Sequence, residues 1–194
     1  NLNDAECAIE CGTDALGFIF VPASPRCISI DTVVSIISRL PSSIIKVGVF
    51  VNESQKKIHS VIEQTGITHL QLHGEESPEE TTKYSIPVWK AFRVSPSFDV
   101  ASIKQYSAAA YLLDAYSTNA YGGTGQTFDW RIAVEAKQYG NIILSGGLNP
   151  QNIAAAVRTV QPFGIDVNSG VESAPGKKNS VKLKMLFDEL KRLV

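Results

Sequence analysis

The chain has 194 residues, of which 44% are hydrophobic and 19% are charged, as expected for a globular domain with one substantial core. Its formal net charge of −1 provides no basic surplus for binding nucleic acid or an anionic membrane. No apolar stretch is long enough to span a bilayer, and no signal peptide is recognisable. The cysteines, Cys7, Cys11 and Cys27, form no CxxC pair, which indicates reduced thiols in a cytoplasmic protein rather than a disulfide framework or a metal site.

Helix and strand patterns alternate along the chain. A helix pattern occupies residues 1–12, with Asn1 or Asn3 as its cap and Gly12 as its stop. The predicted strands lie at residues 16–20, 47–51, 69–72, 88–92, 111–114, 142–145 and 164–167. Further helices are predicted at residues 31–40, 54–65, 78–84, 99–106, 129–139, 150–160 and 181–193, with Asn149 and Pro150 starting the one at 150–160.

Repeated strand–helix units predict right-handed crossovers and a parallel sheet. We therefore expect a single α/β domain over residues 1–194 with the (βα)8 TIM-barrel fold. Such a barrel needs a strand before the helix at residues 1–12, so we expect strand one to be absent from this chain. An open doubly wound sheet of seven strands is the alternative, ranked second because no GxGxxG or Walker pattern occurs.

Two strand-then-glycine segments near the C-terminus suggest a phosphate site. One predicted strand runs into Gly146 and Gly147, and the next runs into Ser169 and Gly170. Turns of small residues expose backbone N–H groups, and TIM barrels usually hold phosphate after their last two strands. We therefore predict that these four residues bind a phosphate group.

Asp114 ends the fifth predicted strand, where TIM barrels place catalytic groups. Partial desolvation at a barrel mouth favours the protonated form of a carboxyl group and would suit Asp114 to general-acid catalysis. The alternative is an aspartate that orders its own loop. The polar loop at residues 115–127 is either a lid that excludes water or an ordinary surface loop.

Other polar residues lie at or near strand ends. Arg26, in a proline-stiffened loop, is either a clamp for a substrate carboxylate or a solvated surface arginine. Gln71 and His73 point to the same side of their strand, and His73 suits proton transfer, substrate binding or a structural role. Asp166 would hold a substrate hydroxyl or brace the glycine turns. Cys11, at a helix C-terminus whose dipole would raise its pKa, is interpreted as a packing residue.

The chain resembles the phosphoribosylanthranilate isomerases of tryptophan biosynthesis over essentially its whole length. Singly the matching runs are weak evidence, but their ordered set is specific. They are Gly17-Phe-Ile-Phe20, Pro25-Arg-Cys-Ile-Ser29, Val47-Gly-Val-Phe-Val-Asn52, Gln71-Leu-His-Gly-Glu75, Leu113-Asp114, Gly122-Gly-Thr-Gly-Gln-Thr-Phe-Asp-Trp130, Leu144-Ser-Gly-Gly-Leu-Asn-Pro150 and Asp166-Val-Asn-Ser-Gly-Val-Glu-Ser-Ala-Pro-Gly-Lys-Lys178.

The resemblance implies an Amadori rearrangement of N-(5-phosphoribosyl)anthranilate without metal or organic cofactor. It implies that Asp114 is the acid, Arg26 the clamp on the anthranilate carboxylate, and the glycine turns the phosphate site. The family's base is a cysteine in a Lys-x-Cys-Gly motif at the end of strand one, before the helix at residues 1–12. The chain from Asn1 would then carry the acid without the base, and its own activity would be low or absent.

Several alternatives stay open at this stage. An aminoaldose isomerase of histidine biosynthesis would want glycine turns in both halves of the barrel. Indole-glycerol-phosphate synthase would want a lysine at a strand end, for which Lys90 is the candidate. A degenerate barrel that binds a phosphorylated metabolite, or a segment of a fusion enzyme, is also compatible with the sequence. The expected partner is a phosphorylated small molecule, and the expected state is a monomer or homodimer.

Overall fold

A computed structural model describes residues 1–115 and 127–193 of the chain. Seven parallel strands form one sheet in which spatial order equals chain order. A doubly wound sheet reverses its strand order at a switch point, so the sequential order excludes that alternative. The strands are β1 (Ala15–Ile19), β2 (Ile45–Phe50), β3 (His69–Leu72), β4 (Val88–Val94), β5 (Ala110–Ala115), β6 (Ile142–Leu144) and β7 (Gly164–Ile165).

Helices connect most of these strands and cover one face of the sheet. They are α1 (Leu2–Cys11), α2 (Ile30–Ile37), α3 (Gln55–Thr65), α4 (Trp130–Ala136), α5 (Ile153–Val160) and α6 (Ser180–Lys191). The side chain of Asn1 caps α1 by accepting from the Asp4 N–H, and Gly12 ends it with a left-handed φ of 109°. Both ends of α1 therefore follow the sequence prediction.

The two faces of the sheet bury different residues. On the helix-covered face, Leu113, Leu144 and Ile153 belong to the largest buried cluster. On the opposite face Ala91, Leu112 and Ile143 form a separate small cluster with Ala110, against which Trp89 packs. The register pairs Ala91 with Leu112 and Arg93 with Asp114, so Arg93 and Asp114 continue the inner face toward the carboxyl ends of the strands.

Three local predictions were wrong. The segments predicted as helices at residues 78–84 and 99–106 contain short 3₁₀ helices, Glu80–Thr82 and Val100–Gln105. Pro150 does not start α5, which begins at Ile153 after an irregular turn. A two-stranded antiparallel hairpin, β8 (Glu172–Ala174) with β9 (Lys177–Lys178), follows the second glycine turn and was not predicted.

Within the described residues the parallel sheet thus has seven strands, as predicted. In that part of the chain, β1 pairs with β2 and β7 pairs with β6, and neither has a second partner. The loop predicted as a lid falls on residues 116–126, which lie outside the described residues. None of the described helices is long and apolar enough to cross a bilayer.

Candidate functional site

Four polar side chains meet at the carboxyl ends of the strands. Asp114 is the last residue but one of β5, Ser145 follows β6, Asp166 follows β7 and His73 follows β3. Asp114 and Ser145 are 4% and 7% exposed, so both are buried. Parallel strands direct their carboxyl ends to one edge of the sheet, which is why residues so distant in sequence become neighbours here.

His73 connects Gln71 with Asp114. The Gln71 amide nitrogen lies 2.7 Å from His73 Nδ1, and His73 Nε2 lies 3.4 Å from Asp114 Oδ2. The distance between His73 Nε2 and Asp114 Oδ2 would allow an ion pair if the imidazole were protonated. Nε2 nevertheless forms no hydrogen bond within the described part of the chain. If the amide donates to Nδ1, the ring proton of neutral His73 sits on Nε2 and faces Asp114.

Asp166 is the second carboxyl group of the cluster. Ser145 Oγ donates to Asp166 Oδ2 at 3.0 Å. Burial raises the pKa of Asp166 above its ordinary value, and the neighbouring charge of Asp114 raises it further. Asp166 therefore retains a proton more readily than an ordinary aspartate.

Arg26 makes a bidentate ion pair with Glu172. Its Nε lies 3.0 Å from both carboxylate oxygens and its Nη2 lies 2.7 Å from Oε2. Burial alone would raise the pKa of Glu172, but the Arg26 hydrogen bonds and the charge of Lys178 outweigh burial and lower it. The guanidinium is consequently fixed in place, not a solvated surface group.

Lys178 joins the hairpin to the residues around Asp166. Its Nζ donates to the Asn168 carbonyl at 3.1 Å and to the Asn168 side chain at 2.7 Å, and lies 3.5 Å from Glu172. Its backbone N–H donates to Asp4 at 2.7 Å, which places the start of α1 at this end of the sheet. Burial lowers the pKa of Lys178, while Glu172 and Asp166 oppose that shift.

The two glycine turns lie next to this cluster. Gly146 and Gly147 adopt left-handed φ values of 85° and 65°. A Cβ on Gly146 would lie 2.4 Å from the Ala115 nitrogen, and one on Gly170 would lie 1.9 Å from the Leu148 carbonyl oxygen. Glycine is thus required in both turns because backbone segments approach closely.

Sequence reasoning missed Ser145, Glu172 and Lys178. Their roles depend on contacts between separate segments, since Arg26 and Glu172 are 146 positions apart. The signal that could have found Glu172 and Lys178 is their position on the segment that follows the second glycine turn.

The cysteines do not join the site. Cys7 and Cys11 pack against the largest hydrophobic cluster, and Cys27 is exposed. Burial and the adjacent Cys7 raise the pKa of the Cys11 thiol, which agrees with the predicted packing role. No group of three or more His, Cys, Asp or Glu side chains in the described part of the chain is arranged to hold a metal ion.

A cavity of about 240 Å³ opens beside this cluster, on the β3–β4 side. His73, Arg93 and Phe98 are among its lining residues. A space of this size next to His73 can admit part of a small molecule.

A sequence profile described as N-(5'phosphoribosyl)anthranilate (PRA) isomerase matches residues 1–189. An N-(5'-phosphoribosyl)anthranilate isomerase of Pelobacter propionicus is 47% identical over 184 residues, which are 95% of this chain and 88% of the relative. The enzyme of the same name from Citrifermentans bemidjiense is 45% identical, over 99% of this chain and 93% of the relative.

Solved structures agree with these sequence matches. The phosphoribosyl anthranilate isomerase of Thermus thermophilus superposes with a TM-score of 0.92 at 34% identity, covering 100% of this chain and 96% of that one. A phosphoribosyl anthranilate isomerase in complex with reduced 1-(o-carboxyphenylamino)-1-deoxyribulose 5-phosphate superposes with a TM-score of 0.87 at 38% identity, covering 99% and 94%.

Two substitutions in the site should change the pH dependence of stability in opposite directions. Above pH 3.8, the ordinary pKa of aspartate, folded Asp166 retains a proton that the unfolded chain releases, so wild-type stability falls as pH rises through the folded pKa. Asp166→Asn removes this loss, so the variant should gain stability relative to wild type as pH rises across that window.

Glu172→Gln should show the reverse trend. The stability that Glu172 contributes is present above its ordinary pKa of 4.5 and is lost as pH falls through the lowered folded pKa. The variant should therefore lose stability relative to wild type as pH rises toward 4.5. Urea unfolding at several pH values measures both differences, and parallel trends for the two variants would contradict the assignment.

Proposed function

The chain belongs to the N-(5'-phosphoribosyl)anthranilate isomerase family, and we propose that Asp114 is its general acid. The reaction converts N-(5-phosphoribosyl)anthranilate to 1-(2-carboxyphenylamino)-1-deoxyribulose 5-phosphate, a step of tryptophan biosynthesis. The observation that carries the assignment of the acid is the position of Asp114, buried at a strand end and 3.4 Å from His73 Nε2. The three free cysteines of the described chain agree with a cytoplasmic enzyme.

In the proposed first step, Asp114 transfers its proton to the furanose ring oxygen. The bond between C1 and that oxygen breaks, the ring opens, and the anthranilate nitrogen becomes part of a Schiff base. His73 then faces the new Asp114 carboxylate with its Nε2–H and stabilises the negative charge. A base removes the C2 proton to give an enolamine. In the tautomerisation to the ketone, C1 gains a proton from the protonated base and the C2 hydroxyl returns its proton to Asp114, so acid and base end as they began.

Arg26 is proposed to hold the anthranilate carboxylate. Glu172 engages Nε and Nη2 of Arg26, so the Nη1 side of the guanidinium is the side offered to the substrate. An already oriented guanidinium binds a carboxylate without losing much side-chain freedom at that moment. Gln71 and His73, on the inner face of β3, and Asp166 complete the proposed substrate contacts.

The phosphate is proposed to bind the backbone of Gly146, Gly147, Ser169 and Gly170. The close approach of Gly170 to Leu148 brings the two turns together, as a shared anion site requires. Lys178, held on Asn168, adds a positive charge behind the second turn.

The synthase alternative requires a lysine that can reach a substrate. Lys90 is 2% exposed and its ammonium group contacts Glu76 and three carbonyl oxygens. This environment does not favour that alternative.

We further propose that one more parallel strand precedes α1. It would lie between β7 and β1 and would close the sheet into a (βα)8 barrel. Two observations support it: β1 and β7 end the sheet, and the backbone bond from Lys178 to Asp4 places the start of α1 at the catalytic end. A strand entering α1 there would deliver a Lys-x-Cys-Gly motif next to Asp114. That cysteine is the proposed base.

In a polypeptide that includes the proposed strand before α1, Asp114→Asn should abolish most of the activity while leaving product binding intact. The amide cannot donate the proton needed for ring opening, and general acids contribute about 10²–10⁴ in rate. Loss of substrate fluorescence measures kcat, and calorimetry with the product measures binding. A variant with kcat near wild type would refute the assignment of the acid.

Gly147→Asp should weaken product binding sharply, because it adds negative charge and bulk where the phosphate is proposed to lie. Gly66→Asp is the matched control. Gly66 also has a left-handed φ, of 72°, but it ends α3, and a Cβ added there would meet no atom within 4 Å. Calorimetry should show lower affinity for the product in the Gly147→Asp variant alone. Equal product affinity in the two variants would refute the proposed phosphate site.

Adding a strand that ends in Lys-x-Cys-Gly before Asn1 should increase isomerase activity. A second extended polypeptide with serine in place of that cysteine is the control, because serine is a weaker base at neutral pH. Initial rates at equal folded concentration separate the two. Equal rates for both extended polypeptides would contradict the proposed base.

A further inference from the structure

Lys90 and Glu76 form a buried ion pair. Lys90 is on the helix-covered face of the sheet, whereas Asp114 of β5 is on the inner face. The Lys90 and Glu76 side chains are 2% and 4% exposed, and Nζ lies 2.9 Å from Glu76 Oε2. Lys90 Nζ also donates to the carbonyls of Gly74 at 2.7 Å, Ala91 at 3.1 Å and Leu72 at 3.3 Å. It lies 5.6 Å from the centre of the Phe92 ring. One ammonium group thus binds the end of β3, the turn after it, and β4.

The Glu76 carboxylate binds the same turn from the other side. Its Oε1 accepts from the Asn52 N–H at 2.9 Å, and Oε1 and Oε2 accept from the Gly74 N–H at 3.1 and 2.9 Å. The Asn52 side chain in turn accepts from the Glu75 N–H at 2.7 Å. The ends of β2, β3 and β4 are therefore held together around the turn at Gly74.

This turn directly follows His73. No larger residue fits at Gly74 without a shift of its neighbours, because a Cβ there would lie 2.3 Å from Asn52 Oδ1. The His73 backbone N–H donates to the Phe50 carbonyl at 2.8 Å, so the backbone is fixed on both sides of His73. The imidazole itself can still rotate about its side-chain bonds.

Lys90 lines the cavity beside His73, but its side chain is 2% exposed and its ammonium group is already bound by four protein acceptors. The register places Ala91 on the inner face of the sheet, so Lys90 points toward the helix-covered face, where Phe92 and Tyr106 surround it. Burying an ion pair often gains no stability over an apolar pair of the same size. A role in fixing geometry accounts better for a lysine with four acceptors.

We propose that Lys90 and Glu76 are positioning residues that hold the turn after His73 and thereby place the His73 ring between Gln71 and Asp114. The effect on catalysis rests on the proposed function of Asp114 and His73, whereas the effect on the ring geometry does not. Misplacing a reacting group by about 1 Å costs on the order of 10²-fold in rate. Loss of the pair should therefore lower kcat more than it raises KM.

The test uses Lys90→Met and the double variant Glu76→Gln/Lys90→Met. Methionine is unbranched and similar in length to the lysine side chain, and glutamine keeps one oxygen that can accept from the Asn52 and Gly74 N–H groups. The double variant leaves no unpaired buried charge and so favours retention of the fold.

Lys46→Met is the matched control. Lys46 is also buried, at 6% exposure, and its Nζ donates to the carbonyls of Pro41 and Ser42 near the amino end of β2. It thus shares the burial and the carbonyl contacts of Lys90 at the opposite end of the sheet from His73.

Two readouts are measured: steady-state kcat and KM, and the imidazole ¹⁵N shifts of His73 above the ordinary titration range of histidine. His59 and His69 serve as internal references in the same spectrum. In both Lys90 variants kcat should fall about 10–100-fold, with a smaller change in KM, and the His73 shifts should move toward those of a free imidazole. Lys46→Met should leave both readouts at wild-type values.

Unchanged His73 shifts in the folded Lys90 variants would overturn the proposal, whether or not kcat falls. Failure of both Lys90 variants to fold, while Lys46→Met folds, would assign the pair to stability and also overturn it. Inactivity of a wild-type polypeptide that carries the proposed strand before α1 would instead refute the proposed function, and the His73 shifts would still decide the positioning role.

Discussion

The proximity of two carboxyl groups, Asp114 and Asp166, is the constraint on which the candidate site depends. Two negative charges at neighbouring strand ends repel each other, and partial burial strengthens that repulsion. The raised pKa of Asp166, caused by burial and by the charge of Asp114, is the direct consequence. Ser145 donates to Asp166, and Lys178 is close enough to favour its ionised form.

A second group of charges fixes the opposite side of the site. Glu172 joins Arg26, from the loop after β1, to Lys178 on the hairpin. Lys178 continues the connection to Asn168, beside the second glycine turn, and through its backbone to Asp4. Ion pairs and hydrogen bonds therefore connect the proposed carboxylate clamp with the proposed phosphate site. Neither can move far without disturbing the other.

These interactions divide the end of the sheet into regions of different chemistry. The glycine turns present backbone rather than bulky side chains, Asp114 and Asp166 present two carboxyl groups, and Arg26 presents a planar cation. A substrate with a phosphate, a sugar ring and an aromatic carboxylate needs these three environments. Lys90 and Glu76, on the helix-covered side, belong to none of them but contact the turn that carries His73.

The sequence by itself determined the alternation of strands and helices and the approximate positions of the seven parallel strands. These features follow from local periodicity and from turn chemistry, which is why β3 and both ends of α1 were predicted well. Local signals failed at residues 78–84 and 99–106, which contain short 3₁₀ helices instead of α-helices.

Only the tertiary structure decided which polar groups meet. Arg26 pairs with Glu172 across 146 positions, Lys90 turns toward Glu76 rather than a substrate, and His73 approaches Asp114. Such pairs leave no periodic signal in the sequence, because they depend on the strand register and on the direction in which each side chain leaves the sheet. The hydrophobic pattern specifies the sheet, and the geometry of the sheet then decides which charges become neighbours.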